Sequence, residues 1–178
     1  MAAMRMAKAA VSITSLDAHL ARKMEPRAST PMRRLEAVRQ LSAAGIPATV
    51  MFAPVIPGLN DHEMESVLTA AKEAGTTSAG YVMLKLPLEV KDLFREWLHA
   101  EVPDRASRVM NLVRAMRGGK DHDAAWAQRM LGEGPIAAAA AGRFRLACRR
   151  LGLNETRPPL DTSRFSPPPK ATDQLSLF

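Results

Sequence analysis

Ile46-Pro47-Ala48-Thr49-Val50-Met51-Phe52-Ala53-Pro54-Val55-Ile56-Pro57-Gly58-Leu59-Asn60-Asp61 is the stretch on which the reading of this 178-residue chain turns. Thr49 to Phe52 form a short apolar run rich in β-favouring types, which predicts a buried strand. Pro54 and Pro57 have no N–H to give to a ladder, so the strand is expected to end near them. Gly58 permits a backbone conformation or a close approach that a side chain would block. Asn60 or Asp61 is placed to cap a following helix, with Glu63 and Glu65 in its first turn matching the helix dipole. In α/β folds a strand whose carboxyl end opens into such a corner is a common ligand position. An ordinary βα loop has the same signature, and both readings stand at this level.

Outward from that corner the pattern repeats. Ala9 to Ser15 is apolar almost throughout and predicts a strand buried on both faces. Leu16 to Thr30 reads as a loop with one helical turn. Thr30 is an N-cap with Pro31 at the first helical position, and the helix runs from Met32 to Ala44 with Leu35, Val38, Leu41 and Met32 inward. Gly45 ends it. After the corner, a helix over 61–73 turns Met64, Val67, Leu68 and Ala71 inward, and a third strand spans Ser78 to Leu84. Strand, helix, strand, helix, strand with helix-sized crossovers predicts a parallel sheet. Three such strands leave exposed edges and suit the second half of a larger sheet.

From Pro87 onward the periodicity is helical. Leu88 to Ala100 carries Val90, Leu93, Phe94, Trp97 and Leu98 on one face. Asp104 to Arg117 carries Val109, Leu112, Val113 and Met116. A short helix within Lys120 to Gly134 and a last one from Pro135 to Leu151 follow. From Asn154 the chain is proline-rich and polar, and a disordered tail is expected. The predicted organisation is a strand-containing unit over 1–86, a helical extension over 87–153 and a tail over 154–178.

Composition bounds the partners. Hydrophobic residues make up 47% but aromatics only 4%, so Leu, Val, Ala and Met must fill the core. The net charge of +7 and pI near 10.2 favour anionic partners such as nucleic acid, and equally describe an arginine-rich solvated surface. Cys148 is the single cysteine; in the helical run FRLACRRLGL it reads as a buried structural thiol, and the lone thiol suits a reducing, cytoplasmic setting. One cysteine cannot hold an iron–sulfur cluster or a zinc ribbon. No apolar run approaches the ~20 residues of a membrane span. His19, His62, His99 and His122 lie on separate segments without ligand spacing. Arg143, Arg145, Arg149 and Arg150 on the last helix face either DNA phosphates or solvent.

The succession VSITSLD, MEPRAS, RRLEAVRQLSAAGIP, APVIPGLNDHE and AGYVMLKLP resembles the radical S-adenosylmethionine (SAM) proteins, in particular the spore-photoproduct-lyase-like branch, over residues 9–155. The resemblance implies an α/β fold: the C-terminal half of a partial TIM-type (β/α)6 barrel, its three parallel strands being the fourth to sixth, followed by the helical extension and tail. It implies SAM and a 4Fe–4S cluster as cofactors, lyase-type chemistry carried by the cofactor, and a possible setting in DNA lesion repair. It implies that Thr14, with Ser12 and Ser15, meets the SAM ribose, that Val55, Ile56 and Gly58 pass along the adenine with Tyr81 to Leu84 beside them, and that Arg27 meets an anionic group, or else pairs with Glu25. The three-cysteine loop and first three strands of the family pattern are missing here, so this chain alone is expected to hold no cluster, the N-terminal half-barrel being its missing partner.

The last five residues, Gln174-Leu175-Ser176-Leu177-Phe178, resemble the short peptide by which bacterial replication and repair proteins bind the sliding clamp. The resemblance implies that Gln174 hydrogen-bonds and that Leu175, Leu177 and Phe178 enter apolar pockets, the alternative being an end that folds back on its own domain. A non-enzymatic basic module tethered to the clamp is therefore the second functional reading.

Overall fold

The computed structural model describes residues 2, 6–119, 128–156 and 159–163. Three parallel strands, β1 (Ala9–Ser12), β2 (Ala48–Val55) and β3 (Ser78–Met83), form one sheet in the order β1-β2-β3. Between them lie α1 (Ala18–Met24) and α2 (Pro31–Ala43), then a 3-10 turn (Asp61–Glu63) running into α3 (Met64–Glu73). After β3 come α4 (Val90–Glu101), α5 (Pro103–Ala115), α6 (Gln128–Leu131) and α7 (Gly134–Leu151).

The alternation along β2 divides the sheet. Ala48, Val50 and Phe52 are buried, whereas Thr49, Met51 and Ala53 are half-buried. The buried set packs against Leu35 and Val38 of α2, Val67 and Leu68 of α3, and Ala147 of α7. Phe52, with no exposed surface, anchors this layer; truncating such a side chain costs about 3–5 kcal/mol. The opposite face is bare among the described residues. Ala10 and Ser12 of β1 are exposed there, and Met51 lies over Gly80, its sulfur 2.7 Å from where a Cβ would stand. Any side chain at position 80 would displace that methionine.

Several expectations change. β1 is not buried on both faces, because one side of it has no covering layer among the described residues. The expected loop after β1 contains the two-turn helix α1, capped by Asp17, whose carboxylate accepts from the N–H groups of His19 and Leu20. Met32 is 70% exposed, since α2 needs only the Leu35–Val38 stripe to cover the sheet. β2 continues to Val55 through Pro54, with a cis Ala53–Pro54 peptide. Its pairing with β3 skips between Phe52 and Val55, where proline has no N–H to donate. On α4, Leu98 is fully buried but Val90 and Leu93 are exposed, so the periodic face is only partly used.

A second apolar cluster joins the carboxyl ends of β2 and β3 to the helical segment. Ile56, Leu59, Leu84 and Leu86 pack with Leu20 of α1, Leu98 of α4 and Val109 of α5. Trp97 donates its indole N–H to the Lys23 carbonyl (3.0 Å), tying α4 to α1. At the far edge, Asn154 acts as a one-residue strand: its side-chain amide exchanges both hydrogen bonds with the backbone of Ala79 (2.9 and 3.0 Å), pairing the outer edge of β3 at that residue.

Among the described residues, no helix is long and apolar enough to cross a membrane. Gln174, Leu175, Leu177 and Phe178 lie outside the described residues, as do His122 and most of the proline-rich tail.

Candidate functional site

The carboxyl ends of β1 and β2 converge on a buried polar seam. β1 leaves the ladder after Ile13, whose N–H still reaches the Met51 carbonyl at 2.9 Å. Thr14 and Ser15 then follow, 2% and 1% exposed. The Thr14 hydroxyl donates to the Glu25 carboxylate (2.8 Å), which in turn pairs with Arg34 (3.0 Å). The Ser15 hydroxyl donates to one oxygen of Glu63 (2.7 Å), and the other oxygen accepts from the Leu16 N–H (2.7 Å). Two carboxylates thus fasten the end of β1, one from the α1–α2 connection and one from the 3-10 turn.

Asn60 completes the seam. It has no exposed surface. Its amide nitrogen donates to the carbonyls of Thr14 (2.7 Å) and Pro54 (2.9 Å), and its oxygen accepts from the Ile56 N–H (2.7 Å). The expectation that Asn60 caps the next helix is not met; its side chain makes no cap bond. Asp61 takes a local role instead, accepting from the Gly58 N–H at 2.8 Å. The 3-10 turn arises because this carboxylate and the asparagine hold the corner before the helix starts.

The residues singled out from sequence are distributed unevenly. Ser12, Thr14, Ser15, Val55 and Ile56 come together at one end of the sheet. Ser12 is exposed on the bare face, with its carbonyl held by Arg34 (2.9 Å). Val55 and Ile56 are fully buried, and the Val55 carbonyl accepts from the Leu84 N–H (2.9 Å). Gly58 has φ of +76°, and a Cβ there would lie 2.9 Å from Leu112 of α5. The close approach at Gly58 is therefore to a helix of the extension. Arg27 is exposed, and Arg34, not Arg27, occupies Glu25. Sequence reasoning missed the pairing of Thr14 with Glu25 and of Ser15 with Glu63. These partners are 11 and 48 residues away, and no local pattern announces them.

A cleft of about 540 Å³ opens beyond the corner, between Gly58, α5 and α7. On α7, Arg143 is turned onto Glu65 of α3, reaching both carboxylate oxygens at 2.8 and 2.5 Å. That guanidinium holds the Glu65 carboxyl below its ordinary value. Arg143 is thus an ion-pair partner and not a free member of the basic face, whereas Arg145, Arg149 and Arg150 are exposed.

The cofactor chemistry of a metal cluster does not fit these residues. Among the described residues no group of three or more His, Cys, Asp or Glu side chains is arranged to hold a metal. Cys148 is buried, and burial raises its thiol pKa, the wrong direction for a thiolate ligand; its sulfur lies 3.6 Å from the Asn154 amide nitrogen.

Residues 1–71 match the family model described as the Radical SAM superfamily. Proteins described as uncharacterized from Mycobacterium bovis and Mycobacterium tuberculosis are 34% identical to this chain over 107 residues, which is 59% of the chain and 32% of each relative. The aligned part therefore spans about a third of the length of the curated relatives it matches. No solved structure matches.

Proposed function

We propose that this chain contributes the nucleoside-facing half of a radical SAM barrel, and that the cluster ligands are supplied by another segment, of a longer chain or of a partner. The observation that carries the reading is the coincidence of two facts. The Radical SAM match falls on β1, α1, α2, β2 and most of α3, and the three parallel strands in those and the next unit leave one face bare, as a barrel wall does. SAM, when bound with a cluster, would supply the radical precursor. In this chain Ser12 is the exposed hydroxyl on the bare face that would meet it. Thr14 and Ser15 act through the seam, fixing where β1 ends. Val55 and Ile56 are fully buried and pack into the two apolar clusters that hold that end of the sheet. The spore-photoproduct-lyase-like branch is the one whose motifs the sequence resembles, and a role on damaged DNA rests on that resemblance and on the basic charge.

Anaerobic reconstitution with iron and sulfide tests the division of labour. The chain alone is expected to bind iron well below cluster stoichiometry. A stoichiometric 4Fe–4S cluster is expected once a polypeptide bearing a three-cysteine loop and the preceding strands is added, and SAM binding by that assembly should weaken in Ser12→Ala. A stoichiometric cluster on this chain alone would overturn the reading.

A further inference from the structure

The cleft beside α5 and α7 has a composition of its own. Arg105 and Arg108 stand three residues apart on α5, hence on one face of that helix, and both line the cavity. Both are exposed and neither guanidinium has a hydrogen-bond or ion-pair partner among the described residues. His62, from the corner, also lines it. Asp61 also borders the cleft, but one of its oxygens already accepts from the Gly58 N–H. Arg143, the third guanidinium in the lining, is held on Glu65. Met83, Leu112, Ile136 and Ala140 give the cavity an apolar lining.

Free guanidiniums recognise phosphate through their fork of donors, and an apolar lining suits a flat ring. The volume lies within the range of small-ligand pockets. Carboxylate ligands would use the arginines but not the apolar lining; a lipid tail would use that lining but would need a larger opening into apolar surface. We propose that this cleft binds a nucleotide, its phosphate on Arg105 and Arg108 and its base against Met83, Leu112 and Ile136. The site is separate from the bare sheet face on which Ser12 lies, and it stands whether or not the chain completes a radical SAM barrel. The ligand is either a free nucleotide or one unit of a nucleic-acid strand; the phosphate-and-ring chemistry is shared.

Titrating the full chain at low salt with adenosine monophosphate by calorimetry, and separately with a short fluorescein-labelled single strand by anisotropy, tests the site and distinguishes the two sources. Binding of the mononucleotide assigns a free nucleotide, and binding of the strand alone assigns nucleic acid. In either case Arg105→Glu and Arg108→Glu together should weaken binding by roughly tenfold or more per arginine. The milder Arg105→Gln, Arg108→Gln pair should act in the same direction with an unchanged circular dichroism spectrum. Reversing Arg149 and Arg150, exposed on α7 but outside the cleft, should leave affinity within about twofold. Failure of both probes to bind, or equal losses in the Arg149/Arg150 variant, overturns the proposal.

Discussion

Replacing Asn60 by alanine removes three hydrogen bonds from a site with no access to water. The Ile56 N–H and the carbonyls of Thr14 and Pro54 lose their partner together. An orphaned buried N–H costs about 1–3 kcal/mol, and each carbonyl adds about 1 kcal/mol, so the expected loss is about 3–5 kcal/mol. That is a large share of the 5–15 kcal/mol typical of a whole domain. With a urea slope of about 2 kcal/mol/M the midpoint should fall by about 1.5–2.5 M, the slope itself being unchanged. The assay is urea unfolding followed by circular dichroism. Asn60→Asp sharpens it. The carboxylate keeps the acceptor for Ile56 but sets a negative oxygen against two carbonyls, so at neutral pH it should be at least as damaging as alanine. Its neutral acid form regains one donor, so the deficit should narrow as pH falls. A cost below about 1 kcal/mol for Asn60→Ala, or a neutral-pH Asn60→Asp variant as stable as the parent, would refute the assignment of this residue as the link between β1 and the corner.

Three further outcomes are expected. The Glu65 carboxyl is held low by Arg143, so its stabilising contribution is present above the ordinary carboxylate range near pH ~4.3 and is lost as pH falls through the lowered value; because the pair is partly solvent-exposed, Arg143→Gln should cost no more than ~1 kcal/mol at neutral pH, a thermal midpoint drop of about 2–4 °C that disappears at acidic pH. Gly58→Ala drives a Cβ to 2.9 Å from Leu112 at a positive φ, and should destabilise by about 1–3 kcal/mol in thermal unfolding, relieved in part when combined with Leu112→Ala. A peptide of residues 170–178 should bind a bacterial sliding clamp in a fluorescence competition assay, and Leu177→Ala with Phe178→Ala should abolish that binding.

The cost predicted for Asn60 also marks where local reading stops. Periodicity found the three strands and the inward faces of α3 and α5, because Met64, Val67, Leu68, Val109 and Val113 recur at helical spacing and burial follows spacing. Thr30 and Pro31 placed the start of α2 from two adjacent residues, and the structure has the Arg33 N–H on the Thr30 hydroxyl. Asn60, by contrast, has the residue type and position of an ordinary cap. Nothing within a few residues reveals that a carbonyl 46 positions earlier will arrive to accept a hydrogen bond from its amide N–H. The same holds for Val90 and Leu93, periodic on paper yet exposed, because α4 meets its neighbours along a narrow seam.

By itself, then, the sequence determined the order of the strands and of the helices other than α1, the parallel sense of the sheet through its helix-sized crossovers, and the incapacity of a single-cysteine chain for a three-cysteine cluster. These are consequences of spacing, chain length and residue chemistry. The tertiary structure alone decided that Thr14 and Ser15 spend their hydroxyls on Glu25 and Glu63, that Gly58 makes room for Leu112, and that Arg105, Arg108 and His62 border one cleft. Hydrogen bonds and clefts join residues through space, and their partners are chosen by how the elements pack, which no short window of the chain records.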